Sequence, residues 1–409
     1  MLVRNPRCCV VSLVIAALLF LLSGLDFQPA RYLSRNAPSP GRYANIDLLK
    51  PLVNYPRSKL KWIAENQRAI HELYRCIETG NCAQNQTKVV ILASYEFTKA
   101  LEDGQYIGGE VVFAVSTMET LRRLGYTMLF VKNMASAAQL YQIFGDLVRM
   151  VIIFYPNQSE ECLGMVECVK SAANPAGIPV WKLFSFAFFG GNANYLGEKW
   201  TLTPEVSGAN SYLGYSVEPQ CTKERFIPHA QRKHQAWIFT KFLMYYEPER
   251  TAWPPEFFDA AAEQTGISFL TAAIKKLGIQ TPPISSKIIN LVPETPTTLA
   301  AGRWLLPQDE FYDHLGHSVV LLGVGDPILS PSPYDALCLG VPYINVILAW
   351  DADDPHAKNK WHTQHDGLRD LGPPYVYHVR KGDRTEFLHA IKSALENPID
   401  RFVRSMKIR

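Results

Sequence analysis

The chain has 409 residues, of which 47% are hydrophobic and 19% are charged, and its formal net charge is +3. This length exceeds what one hydrophobic core usually supports, so two domains are expected. The globular composition excludes a disordered or fibrous chain. A charge this small, without a dense stripe of lysine and arginine, argues against a nucleic-acid partner.

The first residues have the pattern of a membrane anchor. Arg4 and Arg7 precede an uncharged, mostly apolar run over residues 8–25. As a helix this run is about 27 Å long, which is enough to cross a thin bilayer. Positive charge ahead of it predicts a cytoplasmic tail over residues 1–7 and a single-pass type II protein. The alternative is a cleaved signal peptide, which would release a secreted soluble protein.

Residues 26–75 are predicted to form a stem, because their first half is rich in proline, arginine, serine and asparagine without periodicity. A helix pattern follows at residues 60–77. Two sequons then predict N-glycosylation at Asn85 and Asn157, which agrees with a lumenal location.

Six cysteines lie beyond residue 75. In an oxidising lumen, those that are close in sequence predict two local disulfides, Cys76–Cys82 and Cys162–Cys168. The pairing of Cys221 and Cys338 stays open at this point. Cys338 lies in an apolar helix pattern, which also fits a buried thiol.

Beyond residue 87, apolar strand patterns alternate with helix patterns, which is typical of an α/β protein. The first series has strands at residues 88–94, 127–131 and 151–154, and helices at 110–124 and 135–144. Residues 184–221 are rich in glycine, asparagine, serine and aromatics, and are predicted to be loops.

A second series starts at residue 236. It has strands at residues 236–242, 287–291, 318–322 and 342–347, and helices at 333–339 and 384–396. Two such series predict two Rossmann-like domains, residues 76–232 and 233–409, that face a cleft. Ligands of such sheets bind at the carboxyl ends of the strands.

The most informative segment covers residues 318–346. A strand runs into Gly323–Gly325, where missing Cβ atoms would let a ligand approach the backbone. Ser332 is predicted as the N-cap of the next helix, with Pro333 at its first position and Asp335 in its first turn. The free N–H groups of this turn would face a diphosphate, and Asp335 would accept hydrogen bonds from ribose. A capping box alone explains Ser332 and Asp335 equally well.

This segment resembles the C-terminal domain of the α-1,6-mannosylglycoprotein 6-β-N-acetylglucosaminyltransferases, glycosyltransferase family 18. The family's Gly-x-Gly-x-Pro turn, Pro-x-Pro-x-Glu-Ala helix and short strand ending in asparagine are matched by Gly323, Gly325, Pro327, Pro331, Pro333, Asp335, Ala336, Gly340 and Asn345. The family's glutamate is aspartate here, and a second family glutamate falls at Leu329 or Ser330. In patches, the resemblance covers roughly residues 75–395.

The resemblance implies a GT-B fold of two Rossmann-like domains, inversion at the anomeric carbon and no metal cofactor. It implies transfer of N-acetylglucosamine from UDP-GlcNAc to a mannose-containing glycoprotein glycan, in 6-β linkage. The implied location is the Golgi membrane, with the catalytic part in the lumen. Among residues, it implies Glu110 as the catalytic base, and Lys241, Gln364 and His365 as further nucleotide-sugar contacts. Glu110 is alternatively a favourable acid in the first turn of a helix.

Three alternatives remain. The first is a metal site: residues 351–354 have the D-x-D spacing of manganese-dependent transferases, and histidines at 356, 362 and 365 lie nearby. The spacing of these histidines is irregular, and a solvated loop explains the acidic residues and the histidines alike. The reaction could transfer another sugar, because a fold does not determine its donor. The chain could also be a non-catalytic, glycan-binding member, since it lacks the second family glutamate.

Overall fold

The computed structural model describes residues 58–102, 108–191, 194–276, 278–292 and 306–403. The predicted cytoplasmic tail, membrane anchor and most of the stem lie outside the described residues. No helix within the described ranges is long and apolar enough to cross a membrane. The chain divides into two compact units after Tyr215, whereas the sequence predicted a boundary after residue 232.

The first unit is built on a six-stranded parallel sheet with the strand order β2-β1-β3-β4-β5-β6. Its strands are β1 (Val89–Ala93), β2 (Thr127–Val131), β3 (Val148–Phe154), β4 (Leu183–Phe186), β5 (Thr201–Thr203) and β6 (Ser211–Tyr212). Strands β1 and β2 are buried along their whole length, which explains why both are continuous apolar runs in the sequence.

Among the described residues, five α-helices belong to this unit. They are α1 (Lys61–Thr79), α2 (Tyr95–Leu101), α3 (Gly109–Arg123), α4 (Met134–Phe144) and α5 (Tyr155–Gly164). Helix α2 follows β1 and was not predicted. Because α1 begins at Lys61, the residues from 61 onwards that the sequence assigned to the stem form part of a folded unit.

Helix α1 covers the outer edge of the sheet. The Asn66 side chain accepts a hydrogen bond from the Phe130 N–H at 2.7 Å and donates one to the Phe130 carbonyl at 2.8 Å. One buried amide thus takes the place of a neighbouring strand beside β2. This protects an edge that would otherwise expose unpaired backbone groups.

The segment that the sequence predicted as loops instead contributes strands β4, β5 and β6. These strands have only two to four residues, so they carry no recognisable apolar run. Asn194 helps to hold them, because its buried amide donates to the Leu183 carbonyl and to the Ser185 hydroxyl, both at 3.1 Å. Non-local hydrogen bonds, rather than local pattern, therefore build this part of the sheet.

The second unit is a seven-stranded sheet whose six parallel strands lie in the order β9-β8-β7-β10-β11-β13. These are β7 (Gln235–Phe239), β8 (Ser268–Thr271), β9 (Ile288–Asn290), β10 (Val320–Gly323), β11 (Tyr343–Ala349) and β13 (Val376–Arg380), and the short β12 (His362–Thr363) runs antiparallel to the end of β11. In chain order this is 3-2-1-4-5-6, the Rossmann arrangement. The order reverses between β7 and β10, so their carboxyl ends mark the expected ligand crevice.

Within the ranges described above, the α-helices of the second unit are α6 (Glu218–Cys221), α7 (Pro255–Thr265), α8 (Gln308–Gly316), α9 (Ser332–Cys338) and α10 (Arg384–Glu396). Each unit has its own apolar core, as the two predicted series of strands and helices imply.

Three disulfides join cysteines in the described part of the chain. The two predicted local bonds are confirmed, Cys76–Cys82 and Cys162–Cys168. The third, Cys221–Cys338, joins α6 to α9 across a sequence separation of 117 residues. The Arg401 side chain donates hydrogen bonds to the carbonyls of both cysteines, at 3.1 and 3.3 Å. The disulfide therefore fixes the beginning of the second unit to α9.

Candidate active site

The loop after β10 lies at the switch point of the second unit. Gly323 pairs with Phe239 at the end of β7, so the two strands end side by side. The Trp253 indole N–H donates to the Gly323 carbonyl at 2.7 Å, and the Ala252 N–H donates to the Val324 carbonyl at 2.7 Å. The buried side of the loop is thus fixed to the core, while residues 326–330 are half-buried.

The two glycines of this loop are required by the protein's own packing. A Cβ at Gly323 would overlap the Gln364 side-chain oxygen and lie 2.9 Å from the Ile344 carbonyl oxygen. Gly325 has a φ of 110°, a conformation that favours glycine, and a Cβ there would lie 2.8 Å from the Arg250 carbonyl oxygen. The sequence ascribed these glycines to the approach of a ligand, and the structure accounts for them by contacts within the chain. A role in binding a nucleotide stays a prediction.

Ser332 is not the N-cap that the sequence predicted. Pro331 occupies the cap position, and Ser332 is the first helical residue of α9. The Ser332 N–H donates instead to the Ser330 hydroxyl, at 3.4 Å. The Asp335 N–H bonds to the Pro331 carbonyl, at 3.2 Å, so the predicted capping box does not form. The Ser330 hydroxyl thus satisfies one of the free N–H groups at the start of α9.

Asp335 is buried, although the sequence placed it at the ribose of a ligand. Its carboxyl group accepts a hydrogen bond of 2.8 Å from the hydroxyl of Tyr312 in α8. Burial raises the pKa of Asp335 to about 7, and the hydrogen bond from Tyr312 opposes this rise. The side chain thus belongs to a buried pair between two helices of the same unit.

Lys241 lies directly beyond β7, beside the glycine loop. Its ammonium nitrogen is 5.4 Å from the centre of the Phe242 ring. The Lys276 ammonium nitrogen is 6.0 Å from the same ring, because the backbone around residues 241–243 pairs with Ile274. Lys275 and Lys276 are both exposed. Lys241 and Lys276 thus place positive charge beside the ring of Phe242, just beyond β7, and Lys275 is next to Lys276 in the chain. Such charge would favour an anionic ligand.

Lys275 and Lys276 were not predicted from the sequence. They follow the short apolar stretch Ser268–Thr271, which forms β8 and was not predicted as a strand. Without that strand, the pair looked like ordinary surface charge.

Gln364 and His365 follow β12 and are fully buried. The Gln364 side chain accepts a hydrogen bond from the Gly325 N–H at 2.9 Å and donates one to the Pro327 carbonyl at 3.0 Å. The His365 ring packs against Tyr334, with ring centres 4.9 Å apart. The Gln364 side chain thus contacts the glycine loop, and the His365 ring contacts Tyr334 of α9.

In the first unit, Glu110 is half-buried in the first turn of α3. One turn later, the Phe113 ring stacks on Phe186 at 4.1 Å, and Phe186 is the last residue of β4. The start of α3 therefore lies at the carboxyl edge of the sheet, where ligands of such folds bind. The role of Glu110 as a base stays a prediction.

The two sequons differ in what the structure describes. Asn85 is half-buried in a turn with a φ of 65°, and its side-chain nitrogen donates to the Leu124 carbonyl at 2.8 Å. A glycan would replace one of the two hydrogens on this nitrogen and leave the other for the bond to Leu124. Asn157 lies within α5, and its side chain is outside the described residues. Glycosylation of both stays a prediction.

The acidic loop at residues 351–354 is held by internal contacts. The Asp351 carboxylate is paired with Lys360 and accepts a hydrogen bond from the Asp353 N–H at 2.9 Å. The hydrogen bond from Lys360 lowers the pKa of Asp351. Over the part of the chain that the structure describes, no group of three or more His, Cys, Asp or Glu side chains is arranged to hold a metal ion.

Comparisons with known proteins give no family assignment. No protein-family model matches the chain, and no curated protein matches its sequence. Matching solved structures include an α-glucosyltransferase in complex with UDP and a 13-mer DNA containing an HMU base, at 8% identity and a TM-score of 0.36, covering 76% of this chain and 94% of that chain. They also include the glycosyltransferase SnogD from Streptomyces nogalater, at 13% identity and a TM-score of 0.30, covering 76% and 95%. TM-scores this low establish neither a shared fold nor a shared function.

Proposed function

We propose that the chain is a glycosyltransferase whose second unit binds the nucleotide of a UDP-sugar. The observation that carries this proposal is the switch point of the 3-2-1-4-5-6 sheet, where the glycine loop and the lysine-bearing loops come together. A diphosphate suits this edge, because ligands of such sheets bind at the carboxyl ends of the strands and nearby ammonium groups favour negative charge.

In the proposed reaction, Glu110 removes the proton from an acceptor hydroxyl as its oxygen attacks the anomeric carbon of the donor. The bond from that carbon to the diphosphate oxygen breaks. UDP takes the bonding electrons and leaves from the face opposite the attacking oxygen. The lysines at residues 241, 275 and 276 stabilise its charge. On this proposal, activity does not depend on a divalent cation and persists in EDTA.

The finer assignment rests on the resemblance to glycosyltransferase family 18. It gives N-acetylglucosamine as the sugar, a mannose-containing glycoprotein glycan as the acceptor and a 6-β linkage. The anchor pattern at residues 8–25 supports a type II protein of the Golgi membrane with a lumenal catalytic part.

The test is a screen of the purified full-length chain with nucleotide sugars and glycopeptide acceptors. Glu110→Gln is expected to abolish transfer while UDP affinity is unchanged. The matched control is Glu119→Gln, which changes a partly exposed glutamate of the same helix and is expected to keep full activity. Equal activity of the Glu110→Gln variant and the native chain would show that Glu110 is not the catalytic base.

A second candidate is a non-catalytic member that binds a nucleotide sugar or a glycan. Two observations favour it: Leu329 and Ser330 stand where the family has its second glutamate, and the family's other acidic position, Asp335, is buried against Tyr312. UDP binding without turnover on any donor and acceptor pair would select this candidate.

A further inference from the structure

Gln364 contacts the glycine loop, residues 323–329, through both its side chain and its backbone. Its side-chain oxygen accepts from the Gly325 N–H at 2.9 Å, and its side-chain nitrogen donates to the Pro327 carbonyl at 3.0 Å. Its backbone carbonyl accepts from the Leu329 N–H at 3.0 Å. One residue therefore contacts the loop at three positions, residues 325, 327 and 329.

The loop needs such a restraint. Leu329 has a φ of 55°, the left-handed region that a branched side chain rarely adopts. Conformations of this kind are strained for residues other than glycine, and they persist only where the surroundings hold them. The Leu329 N–H is held by Gln364, and the residue lies directly before the half-buried serines at 330 and 332.

Gln364 is itself anchored to the middle of the sheet. Its N–H donates to the Val346 carbonyl of β11 at 2.8 Å. The Asn345 side chain accepts from the His365 N–H at 3.0 Å and donates to the His365 carbonyl at 3.2 Å. The support behind the loop is thus a buried hydrogen-bond network on β11, which is a rigid element.

We infer that Gln364 is a positioning residue that fixes the Gly323–Leu329 loop in the shape that binds the nucleotide, without touching the nucleotide itself. The residue has no exposed surface, and both polar atoms of its side chain are engaged by the loop. This differs from the direct nucleotide contact that the family resemblance implied. The inference rests on the proposed function for the identity of the ligand, whereas the restraint on the loop is independent of it.

Gln364→Met tests the inference, because methionine has a similar shape and makes neither hydrogen bond. The matched control is Asn66→Leu in the first unit, which likewise removes two hydrogen bonds from a buried amide to backbone. Amide hydrogen exchange of the Gly325–Leu329 segment and UDP titration calorimetry are measured for the native chain and both variants. Thermal melting reports the general loss of stability.

Gln364→Met is expected to accelerate exchange in the loop and to raise the dissociation constant for UDP, each by about tenfold. Asn66→Leu is expected to lower the melting temperature while it changes neither quantity. Unchanged loop exchange in Gln364→Met overturns the restraint, and faster exchange with unchanged UDP affinity overturns its role in binding. If the native chain does not bind UDP, the proposed function and that role fail together, and loop exchange still decides whether Gln364 restrains the loop.

Discussion

The Tyr312 hydroxyl donates a hydrogen bond of 2.8 Å to the Asp335 carboxyl group, and both side chains are buried between α8 and α9. Desolvation favours the neutral form of both groups. It raises the pKa of Asp335 to about 7 and raises the pKa of Tyr312 as well. An acidic residue in the first turn of α9 thus acts as a buried, pH-sensitive group.

Asp335→Asn is expected to change how stability depends on pH. Because the folded pKa is raised, native Asp335 keeps its proton between about pH 4 and pH 7, while the unfolded chain has lost it. The proton that native Asp335 keeps therefore contributes in full to the free energy of unfolding below about pH 4. As the pH rises to about 7 this contribution falls by on the order of 4 kcal/mol, and above pH 7 it is lost. Asparagine removes the dependence.

Urea unfolding of the native chain and the Asp335→Asn variant from pH 4.5 to pH 8 measures this difference. The gap in unfolding free energy is expected to move in favour of the variant as pH rises. Parallel curves for the two proteins would show that Asp335 does not titrate in this range.

Lys241→Ala and Lys276→Ala are expected to weaken UDP binding by about fivefold each at low salt, because each removes one positive charge from the switch point. The loss is expected to shrink as salt is raised. Lys287→Ala is the matched control, since Lys287 is exposed at the amino end of β9, the opposite edge of the sheet. Titration calorimetry at two salt concentrations measures the effect, and equal losses in all three variants would contradict a local site.

Gly323→Ala is expected to destabilise the second unit by about 2 kcal/mol and to weaken UDP binding, because the new methyl group overlaps Gln364 and crowds the Ile344 carbonyl. Gly372→Ala is the control. A Cβ at Gly372 meets no atom within 4 Å, so its effect is expected to stay within about 0.5 kcal/mol. Chemical unfolding and UDP titration measure both, and an unperturbed Gly323→Ala variant would show that the loop relaxes freely.

Asn66→Leu is expected to destabilise the first unit by about 3 kcal/mol, because it leaves the buried N–H and carbonyl of Phe130 without their partner. Asn133→Ala is the comparison. It removes one N-cap bond to the Ser136 N–H and is expected to cost about 1 kcal/mol. Urea unfolding ranks the two variants, and a smaller loss at Asn66 than at Asn133 would contradict its role as a substitute for an edge strand.

Several elements could be predicted from the sequence because local pattern determines them. Strands β1, β2 and β10 are buried on both faces, so each is an apolar run that needs no knowledge of its neighbours. Helix α10 begins and ends where the sequence placed it, with Asp383 as its N-cap. The disulfides with short spacing were predictable because six residues of chain bring their cysteines together.

Within the candidate site, the glycine loop was predicted because an apolar strand pattern runs directly into it, and Lys241 was predicted from the family resemblance. The roles of Gly323, Ser332, Asp335 and Gln364 were not. Three of these roles depend on distant parts of the chain: Gly323 meets the Gln364 side chain, Asp335 meets the Tyr312 hydroxyl, and Gln364 meets the backbone of Gly325 and Pro327. The role of Ser332 instead depends on its neighbours, because Pro331 takes the cap position and the Ser330 hydroxyl accepts from the Ser332 N–H.

By itself, the sequence determined two α/β units, the chain positions of strands such as β1, β2 and β10, and the position of a glycine loop after β10. Those features follow from burial and backbone preferences that act over a few residues. The tertiary structure alone decided the short strands β4, β5 and β6, the Cys221–Cys338 bond and the side chains that meet around the loop. The physical reason is that a hydrogen bond or disulfide between residues far apart in the chain leaves no periodic pattern in the sequence, and only folding brings its two partners within reach.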